Sequence, residues 1–75
     1  MTTLMINATE FETAHEAIAW ADAEDRKAIR VQGMNLVVEE NEALRLASAG
    51  VEFAYLHDAV LADGKTHRIV TVPVN

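Results

Sequence analysis

The residues of this chain that could do chemistry are three histidines, one serine and a run of carboxylates. His15 sits in a stretch of helical spacing, three residues before Ile18. His57 is followed directly by Asp58, and His67 lies further along the same segment. A zinc site needs three or four well-spaced ligands. If the chain turns back at Asp63-Gly64, His67 stands opposite Val60, roughly three positions from His57, too far in a regular ladder for both to hold one metal. Glu39, Glu40 and Glu42 crowd three carboxylates into one turn, but nothing nearby supplies a fourth ligand. Acids at the start of a helix offset its positive end, and that accounts for the run. Ser48 has no histidine near it in sequence, so it fits no triad pattern. Gly33, Gly50 and Gly64 stand apart from one another, whereas a phosphate-binding loop needs clustered glycines between a strand and a helix. No catalytic residue, no metal site and no cofactor is assigned, and the chain reads as a non-enzyme.

Composition narrows the class further. The 75 residues are 51% apolar, which suits a folded domain rather than a disordered one. A chain of this size buries only about 60% of the surface its unfolded form exposes, so it makes one domain, residues 1–75, of marginal stability. There is no cysteine, so neither disulfides nor thiolate metal sites can staple it, and a reducing cytoplasm is the compatible setting. The first residues lack the basic flank and long apolar run of a signal peptide. No apolar run approaches the ~20 residues that span a bilayer. A soluble, cytoplasmic protein with no membrane contact is expected.

Net charge is −6, and it is unevenly placed. Residues 1–25 contain six acids (Glu10, Glu12, Glu16, Asp22, Glu24 and Asp25) and no lysine or arginine, while the remainder holds six of each sign. A nucleic-acid binder needs a basic footprint. Beyond Arg26, Lys27 and Arg30 there is none, so no nucleic-acid partner is expected.

The elements that would position these residues begin with residues 27–50, which read strand, tight turn, strand, helix, stop. A two-residue loop at Gln32-Gly33 would set Val31 opposite Met34 and Ile29 opposite Leu36, gathering Ile29, Val31, Met34, Leu36 and Val38 on one face. The other face (Ala28, Arg30, Asn35, Val37) looks largely polar and free to stay wet. Upstream, residues 3–7 form a short candidate strand. Thr9 with Glu12 spells a capping box for a helix over residues 10–23, whose apolar positions are Phe11, Ala14, Ile18 and Ala21. Trp20 falls roughly 180° from Phe11 on that helix, against Ala17 or the next loop, or free as an anchor for a partner. A second helix follows Glu39, with Ala43, Leu44, Leu46 and Ala47 as its buried stripe and Gly50 as its left-handed stop. Residues 51–57 and 66–74 are strands. The Asp63-Gly64 turn would pair Tyr55 with Val72 and His57 with Val70; a longer loop over residues 58–65 would shift that register. Pro73 marks an edge.

The order β-α-β-β-α-β-β begins as the ferredoxin-like split βαβ plan does, an α+β fold with an antiparallel sheet. Right-handed crossovers would then put both helices on one face. The strand order would run fourth, first, third, second, with the fifth added outside the fourth as a C-terminal edge strand. The second face would lie open. There the last two strands are apolar on both sides, a pattern unsuited to a half-wet strand. The function expected is therefore a small interaction or self-association module, probing a protein partner or a second copy through Trp20, Phe53, Tyr55, Val70 and Val72. Two alternatives accompany it. One is an acidic decoy or inhibitor that offers the first helix to a basic partner. The other is small-ligand binding in a groove between two subunits, which rests on fold analogy alone.

Overall fold

The computed structural model describes residues 5–75. Its elements are β1 (Thr9–Phe11), α1 (Ala14–Glu24), β2 (Lys27–Val31), β3 (Met34–Val38), α2 (Glu40–Ser48), β4 (Phe53–Val60) and β5 (His67–Val74). The chain is a small α+β protein with a five-stranded sheet in the order β1-β3-β2-β4-β5, each neighbouring pair antiparallel.

The central hairpin has the register its pattern implied. Ile29 faces Leu36 and Val31 faces Met34. Gln32 and Gly33 both take positive φ, 50° and 80°. Two successive left-handed residues twist the loop in the sense the strands require.

The first strand and the first helix begin elsewhere than expected. Residues 3 and 4 lie outside the described residues, and residues 5–7 form no strand. The strand is Thr9–Phe11, paired Thr9 to Val37, Glu10 to Leu36 and Phe11 to Asn35. The chain contains two consecutive capping boxes, Thr9/Glu12 and Thr13/Glu16, and the second is used. Thr13 Oγ1 accepts the Glu16 backbone N–H at 3.2 Å and donates to Glu16 Oε1 at 3.0 Å. Pairing with β3 holds the first box extended, which leaves the helix to nucleate one turn later.

Strand order corrects the ferredoxin-like expectation. β1 lies at an edge beside β3, and β4 lies beside β2 rather than beside β1. β1-α1-β2 and β3-α2-β4 are still both split units, each with one strand inserted between its parallel pair. Both crossovers now step the same way across the sheet, starting from antiparallel strands. Two crossovers of one hand then place their helices on opposite faces, not on one face.

The core is divided accordingly. Ala14, Ala17, Ile18 and Ala21 of α1 pack on Ala28, Val37 and Leu56. Ala43 and Leu46 of α2 pack with Ile29, Val31, Leu36, Val38 and Phe53 on the other side. The face expected to stay wet is therefore largely covered, with Arg30 its exposed residue. Even Asn35 is buried there, where its Oδ1 accepts from Arg30 Nε and Nη2 at 3.2 and 3.1 Å and its Nδ2 donates to the Glu12 carbonyl at 3.3 Å. A buried amide partnered this fully costs little. Leu44, expected in the α2 stripe, is 57% exposed. Gly50, at φ 76°, stops α2 as expected, with its N–H on the Ala47 carbonyl at 3.1 Å.

Candidate interaction surface

β4 and β5 pair along eight residues each, from Phe53 opposite Val74 to Val60 opposite His67. Tyr55 meets Val72 and His57 meets Val70, the register of the tight-turn expectation. The ladder nevertheless opens into a loop at residues 61–66, closed by the Leu61 N–H on the Thr66 carbonyl at 2.8 Å. Inside it, Asp63 acts as the organising acceptor. Its carboxylate takes the Lys65 and Thr66 backbone N–H groups at 2.9 and 2.8 Å and the Thr66 hydroxyl at 2.5 Å. These bonds, the Thr66 hydroxyl foremost, hold its pKa down at about 2.

On its inner side β4 is paired to β2 only at Tyr55 with Ile29 and Ala54 with Arg30. β2 starts at Lys27, so the outer half of the β4–β5 hairpin runs past the rest of the sheet as a two-stranded arm. The molecule is correspondingly elongated, 48 × 23 × 20 Å. Val60, Leu61, Val70 and Val72 are exposed on this hairpin, Val72 at 49%. An isolated two-stranded ribbon is at best marginally stable in water, and apolar residues left on it call for cover.

The residues singled out from sequence fall in different places. Val70 and Val72 lie on the open hairpin, on the side of the sheet that bears α2 further in. Tyr55 is half-buried beside them, edge-on to Phe53 with ring centroids 5.5 Å apart. Phe53 itself is only 5% exposed, in the α2-side core, and does not belong to the surface. Trp20 is 46% exposed on α1 and rests on Phe11 of β1, the strand at the opposite edge of the sheet from β5. Val60 and Leu61 were missed in the sequence. Val60 lies beyond the strand end read at residue 57, and Leu61 belongs to the loop itself.

The histidines do not converge. His57 and His67 stand on opposite faces of the ladder, and His67 Nδ1 instead lies 2.8 Å from Asp58 Oδ2. Among the described residues no group of three or more His, Cys, Asp or Glu is arranged to hold a metal. The concavities differ in chemistry. A small one of about 130 Å³, where β2 and β4 part, includes Asp22, Arg26, Lys27, Tyr55 and His57. A larger one of about 400 Å³ beside α2 is mostly apolar, lined by Ile6, Val31, Met34, Leu36, Leu46 and Val51, with Glu10 and Gln32. Glu42 of the acidic run is buried and takes Arg45 Nη1 on both oxygens, at 3.1 and 2.9 Å. Its structural role is thereby accounted for. The carboxylates of Glu10, Glu12, Glu16, Asp22, Glu24 and Asp25 are all on exposed residues, and none pairs with a cation among the described residues. No described helix is long and apolar enough to cross a membrane.

No family model matches this chain, and no curated protein or solved structure matches it either.

Proposed function

We propose that this chain is a non-enzymatic protein-interaction module whose contact surface is the β4–β5 hairpin. One observation carries the reading: the β4–β5 hairpin leaves apolar side chains uncovered, Val70 and Val72 on the α2 side, Val60 on the opposite face and Leu61 in the loop. Apolar patches of this kind mark contact sites, and strands with free edges add backbone pairing to side-chain burial. The test is photo-crosslinking in the producing cell. A photoreactive residue at Val72 should capture a protein, whereas the same residue at exposed Leu44 should not. No capture from Val72 would remove the reading.

A second reading rests on the six exposed, unpaired carboxylates between Glu10 and Asp25. They would offer a negative surface to a basic partner, with binding that weakens steeply as salt rises. Glu12→Gln with Glu16→Gln should then lower that binding; a complex indifferent to both salt and these changes would dismiss it.

A further inference from the structure

The β5 strand forms one edge of the sheet for eight residues, and among the described residues no strand pairs with its outer side. Pro73 sits within that strand, opposite Ala54. A proline has no N–H to give, so it fits a strand paired on one side when its nitrogen faces the open side. Backbone direction alternates along a strand, and Thr71 and Ile69 therefore turn their N–H and C=O groups outward as well. The outer edge is a row of donors and acceptors in search of a strand.

We infer that the occupant of this edge is β5 of a second copy, antiparallel and centred on Thr71. The inference rests on the interaction reading above and names the partner. Its first ground is self-complementarity. In that register Thr71 meets Thr71, and Val70 of each copy meets Val72 of the other. Four valines then form one apolar strip on the α2 side of the joined sheet, and Ile69 lies across from Pro73 on the α1 side. Two Thr71–Thr71 backbone bonds form, and each Ile69 N–H reaches the facing Pro73 carbonyl. The only central bonds forgone are those Pro73 cannot donate.

Charge is the second ground. The chain carries −6 overall, all of it contributed by residues 1–25, so two copies repel where α1 and its flanks would face each other. β5 contains no acid; its charged side chain is Arg68. The two Arg68 residues would stand about 20 Å apart, three residues either side of the centre. Pairing along this strip sets no carboxylates against each other. A register centred on Ile69 satisfies more backbone bonds but brings the two Arg68 residues within about 8 Å of each other, like charge beside like charge. A two-fold pairing also consumes the edge it uses, so assembly closes at two. The opposite edge, β1, offers only three residues.

The absence of native cysteine makes the register directly readable. Thr71→Cys and Ile69→Cys variants would be purified and mildly oxidised at matched concentration. Facing hydrogen-bonded residues stand about 5.5 Å apart at Cα, inside the range a disulfide spans, whereas Ile69 and its copy would be ~14 Å apart. Thr71→Cys should form a covalent dimer at least roughly tenfold faster. The unmodified chain should run as a dimer by light scattering and as a monomer once Val72→Lys is introduced. Faster crosslinking of Ile69→Cys, or a monomeric unmodified chain, overturns the inference. Capture of a different protein from Val72 alongside a monomeric chain overturns self-pairing and leaves the interaction reading standing. No capture at all would take both down.

Discussion

Phe11 of β1 and Trp20 of α1 meet with ring centroids 5.9 Å apart and planes inclined at 43°. This pair ties the edge strand to the second turn of the helix it leads into. It also gives half-exposed Trp20 an intramolecular task. Such aromatic pairs contribute about 0.5–1.5 kcal/mol beyond their area. Trp20→Leu should lower stability by about 1 kcal/mol in a urea titration and leave the proposed β5 pairing unaffected. Phe11→Leu should cost a similar amount and shift Trp20 fluorescence to the red.

Val37 tests the layer arrangement. It is buried between β3 and α1. An unpaired carboxylate there would cost several kcal/mol, comparable to the whole stability of a small domain. Val37→Asp should therefore abolish the cooperative thermal transition seen by circular dichroism. Were that face open to water, the melting curve would barely move.

The contrast between the two faces explains how much of the fold was legible in the sequence. Local registers were readable, because Gln32-Gly33 and Asp63-Gly64 each sit between alternating runs and one residue of slip would turn every side chain over. The order of strands was not. Pairing of β1 with β3 and of β2 with β4 depends on long-range packing that leaves no periodic trace. Ala28 and Asn35 also read as a wet face, yet an alanine-lined helix covers the first and the second is buried with its amide satisfied. At the candidate surface, Val70 and Val72 were recognisable from two-sided hydrophobicity. Phe53 was misplaced for the same reason: apolarity alone does not say which helix covers which face.

Asp63 carries a pH prediction. Its folded-state pKa of about 2 lies below the ordinary 3.8. The unfolded chain binds the proton more readily, so the carboxylate favours the folded loop above pH ~4. That contribution is lost as pH falls through about 2. An NMR titration of the Asp63 side chain should show its midpoint near 2, and the Thr66 amide should follow it. Asp63→Asn should speed exchange of the Lys65 and Thr66 amides and abolish the acid-dependent step. A midpoint near 4 would mean that the loop is not organised by this carboxylate.

Glu42 and Arg45 make a further test. The Glu42 side chain is nearly buried, while that of Arg45 is half in solvent. Screening reduces the worth of the pair, so Glu42→Gln should cost about 1 kcal/mol rather than the 3–5 of a fully buried break. Arg45 Nη2 also donates to the Met5 carbonyl at 3.2 Å. Arg45→Met should consequently loosen residue 5, seen as faster amide exchange there, while Glu42→Gln should not.

The strand order carries a kinetic consequence. Two of the four strand pairings, β2 with β3 and β4 with β5, join segments adjacent in the chain and close through short loops. Such local ribbons form early, since little chain entropy is lost in closing them. β1 brings only three residues and has no place to bind until β3 is built. The chain therefore assembles from its two hairpins, and its N-terminal strand is the last to lock.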